Sequence, residues 1–166
     1  GNIYDKNGNP IPQLTIDIKR TIAVAEALER NGFDVRIAQH GITGTPLDLI
    51  ATKFPHGIIL KGNVGTLWMN IVWYVLKVYE PELYNDIFKW TLTNYRNEAE
   101  KKGIKNEEQV FGLYSKYAIK PFFDRINRIK NETERAIEAS AYYSALMFFK
   151  AFNAFGSASI VRRSLK

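Results

Sequence analysis

The chain has 166 residues, of which 46% are hydrophobic and 13% aromatic, so it is long enough for one folded domain and too apolar to be disordered. It contains no cysteine, which excludes disulfides, cysteine-ligated zinc and thiol nucleophiles. The net charge is +6, but Lys and Arg are interleaved with Glu and Asp as on solvated helix faces, so we expect no nucleic-acid partner. No apolar run approaches the roughly 20 residues of a membrane helix and the first residues do not resemble a signal peptide, so we expect a cytoplasmic protein without a membrane partner.

The first part of the chain alternates helix and strand signals. Apolar residues at helical spacing predict a helix over residues 15–31, and a β-prone run follows at 34–39. Thr45 stands where it could cap a short helix whose first residue is Pro46. A second apolar run predicts a strand at 57–62, so the order is helix, strand, helix, strand.

The rest of the chain contains no clear strand signal. An apolar helix is predicted to break at Pro81, and the next helix to continue to Gly103. Another helical stretch extends to Pro121, and a long helix is predicted to begin near Asn131 or Glu132. Apolar residues recur along this last helix in steps of three or four, which predicts a packing face.

Alternating helices and strands are typical of parallel sheets, as in doubly wound folds and (β/α)8 barrels. Two strands do not make a stable sheet by themselves, so we expect this chain to be the C-terminal part of a longer polypeptide. The alternative is a small helical domain with a two-stranded appendage.

The two predicted strands end in unusual segments, HGITGT at residues 40–45 and KGNVGT at residues 61–66. Chemistry in α/β folds gathers at the carboxyl ends of parallel strands. Glycine amides, threonine hydroxyls and the helix N-termini that follow favour a phosphate ligand. The imidazole of His40 is a common metal ligand, although a lone histidine is more often a hydrogen-bonded turn residue.

These segments resemble those of class II, metal-dependent fructose-bisphosphate aldolases. HGITGT is similar to the family's HGGSG(S/T), KGNVGT is similar to its KxNIDT at a comparable spacing, and the opening GNIYDKNGN is similar to its GVYKPGN. In this alignment Gly1 follows a metal-binding histidine that the chain lacks. A second alignment sets GNIY on the family's GNVH, with Tyr4 in place of a ligand. The resemblance is clearest over residues 1–75.

The resemblance implies an α/β fold, the C-terminal portion of a (β/α)8 TIM barrel with a helical C-terminal extension. Residues 1–80 would form the last βα units, with parallel strands near 34–39 and 57–62. Residues 81–166 would form the helical extension of the same domain.

Enzymes of this family use a divalent metal, most often Zn²⁺, to cleave fructose 1,6-bisphosphate into dihydroxyacetone phosphate and glyceraldehyde 3-phosphate. The resemblance implies that His40 is a metal ligand and that Asn63 is a catalytic residue, which holds the carbanion-forming end of dihydroxyacetone phosphate. The implied substrate and phosphate contacts are Gly1, Gly41, Ile42, Thr43, Asn63, Val64, Gly65 and Thr66. The catalytic aspartate and the other ligands would lie outside this chain, which alone would be inactive. The family also implies a homodimer or homotetramer.

Departures from the family pattern leave the substrate open. Ile42 stands where the family has a glycine, and Gly65 where it has an aspartate. Another ketose bisphosphate, such as tagatose 1,6-bisphosphate, is therefore the alternative substrate. A noncatalytic helical interaction module is the alternative from a different class. For Arg125, a surface ion pair is favoured over the phosphate-binding role of a family arginine.

Overall fold

The structure is a computed structural model that describes residues 16–165. These residues form helices and two short strands in the following order: α1 (Ile18–Arg30), β1 (Ile37–Gln39), a 3₁₀ helix (Ile42–Gly44), α2 (Leu47–Lys53), β2 (Ile59–Gly62), α3 (Thr66–Tyr79), α4 (Pro81–Lys101), α5 (Glu107–Tyr114), a second 3₁₀ helix (Ser115–Ala118), α6 (Phe123–Ile126), α7 (Asn131–Ala151) and α8 (Ala158–Ser164). They divide into two compact units. Residues 16–63 and 142–165 make the strand-containing unit, and residues 64–141 make the helical unit.

The predicted portion of a TIM barrel is wrong. A barrel needs each strand to be hydrogen-bonded on both sides, so that the sheet closes on itself. In residues 16–165 the sheet has two strands, β1 and β2, and each has one neighbour. The other elements of the described chain are helical, so the fold is a small helix-rich one with a single parallel strand pair.

Local signals explain the first helix and strand of the strand-containing unit. The Asp17 carboxylate accepts a hydrogen bond from the Arg20 N–H at 3.0 Å, which caps α1 at its start. The chain leaves α1 through Gly32, whose φ of 78° suits a residue without a Cβ. β1 then pairs in parallel with β2, and the Ile37 N–H donates to the Ile58 carbonyl at 2.9 Å. Both strands are present, and both are shorter than the sequence predicts.

The helical unit begins with α3 and α4, which are separated by one residue, Glu80; this junction is called the α3–α4 corner. The predicted break at Pro81 is confirmed, because α3 ends at Tyr79 and Pro81 is the first residue of α4, where a missing N–H costs nothing. The helices bury two apolar clusters. The larger contains Trp73, Leu76, Leu83, Tyr84, Ile87, Phe111 and Ala118, and the smaller contains Ala99, Val110 and Tyr114. Burying a large apolar side chain contributes about 1.5–3 kcal/mol, so both clusters stabilise the unit.

The start of α7 at Asn131 confirms the predicted long helix. Just before it, the Lys130 N–H donates to the Glu80 carboxylate at 3.1 Å, and the buried Thr133 hydroxyl donates to the same oxygen at 3.0 Å. Glu80 therefore connects the α3–α4 corner to the first turn of α7. Within residues 16–165, no helix has both the length and the apolar character needed to cross a bilayer.

Candidate functional site at the strand ends

The carboxyl ends of β1 and β2 are fastened to each other. The Asn63 N–H donates to the Gln39 carbonyl at 2.8 Å, and the Asn63 Nδ2 donates to the same oxygen at 3.3 Å. Gln39 is the last residue of β1 and Asn63 follows β2, so the parallel pairing brings the two predicted loops to one edge. This geometry makes Asn63 a close neighbour of the residue that precedes His40.

Gln39 holds this edge in place, although no local pattern in the sequence singles it out. Its Oε1 accepts a hydrogen bond from the Thr21 hydroxyl at 3.4 Å, which connects the edge to α1. Its Nε2 donates to the His40 carbonyl at 2.9 Å. Its position as the final residue of a predicted strand is the only signal that could have drawn attention to it.

The His40 side chain is exposed, so a ligand in solution can reach it. A metal site in a protein normally needs three or more side-chain ligands. Within residues 16–165 there is no group of three or more His, Cys, Asp or Glu residues that could hold a metal ion. His40 is therefore the one predicted metal ligand within residues 16–165.

The turn after β1 is anchored by its own side chains. Gly41 has a φ of 78°, in the left-handed region that favours glycine, and leads into the first 3₁₀ helix. Ile42 is completely buried, main chain included. The buried Thr45 hydroxyl donates to the Gly41 carbonyl at 3.1 Å, and the Thr45 N–H donates to the Ile42 carbonyl at 2.9 Å. Thr43 is half-buried on the same turn.

The predicted cap of α2 by Thr45 is wrong. α2 begins at Leu47, its N-cap is Pro46, and no side-chain hydrogen bond caps it. The Thr45 hydroxyl closes the preceding turn instead, because it donates to the Gly41 carbonyl.

The remaining predicted site residues fall elsewhere. Val64, Gly65 and Thr66 belong to the helical unit, and Thr66 is the first residue of α3. There the Trp68 side chain donates from Nε1 to the Val64 carbonyl at 2.7 Å. Gly1 lies outside the described residues. The structure thus gathers His40, Gly41, Ile42, Thr43 and Asn63 in the strand-containing unit and describes the other three with the helical unit.

Arg125 forms the surface ion pair that the sequence favoured. Its Nη1 lies 2.8 Å from the Asp86 Oδ2, and both side chains are about half exposed. The guanidinium also lies over the Phe122 ring, 5.6 Å from its centroid. Both residues of the pair belong to the helical unit, and a surface ion pair is an ordinary role for an exposed arginine.

A cleft of 350 Å³ in the strand-containing unit lies at the other end of the strands. Its lining includes Phe33 and Arg36, which precede β1, and Gly57 and Ile58, which precede β2. It is therefore at the amino ends of the strands, opposite the His40 and Asn63 edge.

The chain was compared with protein-family models, with curated proteins and with solved structures, and none of the three comparisons finds a match. The likeness to class II aldolases therefore rests on the two loop motifs and on the opening residues.

Proposed function

We propose that the chain forms part of a metal-dependent aldolase that cleaves fructose 1,6-bisphosphate into dihydroxyacetone phosphate and glyceraldehyde 3-phosphate. The observation that carries the proposal is the pair of hydrogen bonds from Asn63 to the Gln39 carbonyl. They hold the amide of one predicted loop beside the residue that precedes the imidazole of the other. The motif resemblance supplies the chemistry that this neighbourhood would serve.

In this proposal His40 provides one ligand of a divalent cation, most simply Zn²⁺. The cation would supply Lewis acidity toward the substrate carbonyl. Its other ligands and the general acid/base would come from outside residues 16–165. Asn63 uses its Nδ2 to hold the strand edge, so its Oδ1 would accept from a hydroxyl of the dihydroxyacetone half.

The phosphate would be bound by the main-chain N–H of Gly41 and by the hydroxyl of Thr43. Ile42, the remaining phosphate contact that the resemblance implies on this turn, lies between them and is completely buried. Amides that follow a residue in the left-handed conformation form an anion-binding concavity, which supports this assignment. Val64, Gly65, Thr66 and Gly1 are further proposed phosphate contacts. The proposal also includes a sugar-phosphate substrate, a homodimer or homotetramer, and a cytoplasmic location.

The identity of the ketose substrate depends on the loop after β2. Gly65 brings no carboxylate to the loop after β2, and a Cβ added at Gly65 would have no neighbour within 4 Å. Because the family has an aspartate at this position, its absence makes tagatose 1,6-bisphosphate the alternative substrate.

The test is retro-aldol cleavage of both bisphosphates by the native polypeptide that carries this chain, measured with and without EDTA. We expect cleavage that EDTA abolishes and that His40→Ala lowers by at least about 100-fold, as for loss of a metal-site residue. His56→Ala is the matched control, because His56 is the other histidine, is also exposed, and lies before β2. It should leave the rate unchanged.

Three results would contradict the proposal. Full activity of the His40→Ala variant would remove His40 from the metal site. Cleavage of neither bisphosphate would refute the aldolase function. Turnover by the isolated 166-residue chain would refute the view that essential groups lie outside it.

A further inference from the structure

A second cleft lies in the helical unit, where the segment 116–124 packs beside Tyr95 of α4. Its volume is 940 Å³, and none of its lining residues belongs to the candidate site described above. Clefts of about 300–1,000 Å³ are large enough for a ligand rather than for a single side chain. What this cleft could bind is therefore independent of the proposed aldolase activity.

The floor of the cleft is apolar and unusually exposed. Tyr117, Ile119 and Phe123 are 48%, 42% and 59% exposed, although they are large apolar side chains close together in the sequence. Aromatic side chains supply much of the energy at protein interfaces, so two exposed aromatic rings this close together suit a binding site.

The aromatic part of this surface is held rigidly by the core. The Tyr117 ring lies 5.1 Å from the Tyr95 ring, and the Tyr95 ring lies 5.0 Å from that of Tyr114. Tyr114 is only 6% exposed and belongs to a buried cluster of the helical unit. A platform that is ordered before binding loses little conformational entropy when a ligand arrives.

Two lysines give the cleft its charge. Lys116 and Lys120 are exposed, and neither takes part in an ion pair within the described residues. The Lys116 ammonium lies over the Tyr117 ring, 5.0 Å from its centroid. Asp124 is the one carboxylate among the described lining residues. The charge of the cleft therefore complements an anionic ligand that also carries an apolar group.

We propose that this cleft binds an acidic peptide segment of a partner protein. An aromatic or branched aliphatic side chain of the peptide packs on Ile119 and Phe123, beside Tyr117, and flanking carboxylates pair with Lys116 and Lys120. Single-stranded nucleic acid is disfavoured, because it needs open aromatic faces, whereas the Tyr117 ring is shared between Tyr95 and the Lys116 ammonium.

The experiment is fluorescence polarisation with the labelled peptide GEDFDEG as the probe. Two further peptides separate the contributions: GEDADEG lacks the aromatic side chain, and GKKFKKG reverses the charge. We expect the 166-residue chain to bind GEDFDEG with a dissociation constant below about 1 mM, and each altered peptide at least about tenfold more weakly. Phe123→Ser should weaken binding of GEDFDEG while it keeps the charge of the cleft.

The variant K116E/K120E should lose binding by at least about tenfold. Its matched control is K101E/K105E, which makes the same charge change at exposed lysines of the helical unit outside the cleft. Far-UV circular dichroism checks that each variant is folded.

The proposal is overturned if GEDFDEG does not bind, or if both double variants weaken its binding equally, which would indicate unspecific attraction. Labelled oligo-dT and phosphatidylserine vesicles test the alternative ligands. The proposal is also overturned if either of them binds more tightly than the peptide and loses its binding in K116E/K120E.

Discussion

The Phe152 ring lies directly against the main chain of Gly62 at the end of β2. A Cβ placed on Gly62 would stand 2.6 Å from the Phe152 Cζ, closer than the 3.0 Å that real Cβ atoms respect. The ring is held in turn by Phe54, whose centroid is 5.9 Å away in an edge-to-face arrangement. Packing therefore favours glycine at this position, one residue before Asn63, because any side chain would displace the Phe152 ring.

Gly62→Ala should destabilise the strand-containing unit by about 1–3 kcal/mol, because the added methyl group overpacks the contact with Phe152. Hydrogen exchange over residues 58–63 should rise in the variant, and the urea midpoint should fall. Gly65→Ala is the control: a Cβ there has no neighbour within 4 Å and φ is −114°, so we expect a loss below about 1 kcal/mol.

The double variant Gly62→Ala/Phe152→Leu tests the cause of that loss. If the clash with the ring is responsible, the smaller leucine should relieve it, and the two substitutions should couple by about 0.5–3 kcal/mol. Additive effects would show that Gly62 is needed for another reason, such as main-chain conformation.

Thr45→Val should destabilise the turn after β1 by about 1–3 kcal/mol. The substitution keeps the shape of the side chain but leaves the Gly41 carbonyl without the donor that now lies 3.1 Å away. Thr45→Ser keeps the hydroxyl and should lose less than half as much. Urea denaturation of the three proteins gives the comparison, and equal losses for Val and Ser would contradict this role of the hydroxyl.

Local signals predicted the elements better than they predicted the fold. Pro81 marks a helix start correctly because its fixed φ and missing N–H act within one turn. The parallel pairing of β1 and β2 follows from the same local alternation. The number of strands in the sheet does not, because two strand signals are compatible both with a piece of a barrel and with an isolated pair.

The candidate site shows the same limit. The loop motifs predict that glycine amides are uncovered for a phosphate. At Gly62, the first glycine of KGNVGT, the structure instead has the Phe152 ring packed against the main chain, and no local pattern indicates a contact from so far along the chain. Gln39 was overlooked because its importance depends on a pairing with Asn63 across the sheet. The cleft around Lys116 and Lys120 does have a local signal, since the segment KYAIKPFF combines two lysines with apolar and aromatic residues around a proline.

Glu80→Ala should destabilise the helical unit by about 1–3 kcal/mol, because it leaves the buried Thr133 hydroxyl and the Lys130 N–H without their acceptor. Glu80→Gln keeps an acceptor oxygen and should lose less. Tryptophan fluorescence during urea denaturation reports this unit, since all three tryptophans belong to it. Glu100→Ala, at an exposed position of α4, should change stability by less than about 0.5 kcal/mol.

The contribution of Glu80 should also depend on pH. The hydrogen bond from the Lys130 N–H, with those from Thr133 and the Lys130 charge, holds the pKa of the Glu80 carboxyl below its ordinary value of 4.5, against the effect of burial. The unfolded chain therefore takes up a proton at higher pH than the folded one. Stability from Glu80 is present above pH 4.5 and is lost as the pH falls through the lowered pKa. Glu80→Gln should lose less stability on acidification than the parent; an identical acid dependence would contradict this assignment.

Tyr84 should make the helical unit sensitive to alkali. Burial in the core, together with the nearby Glu108 carboxylate, raises the pKa of Tyr84 to about 12 from an ordinary 10.0. As the pH rises, the Tyr84 phenol loses its proton in the unfolded chain before it does so in the folded one. The stability that Tyr84 contributes is therefore fully present below pH 10 and declines by about 2–3 kcal/mol as the pH rises to 12. Tyr84→Phe should remove that part of the decline, measured by urea denaturation between the two pH values with tryptophan fluorescence. Tyr74→Phe is the matched control, because Tyr74 is 72% exposed on the same unit. If both variants keep the alkaline decline of the parent, the phenol of Tyr84 does not titrate with unfolding.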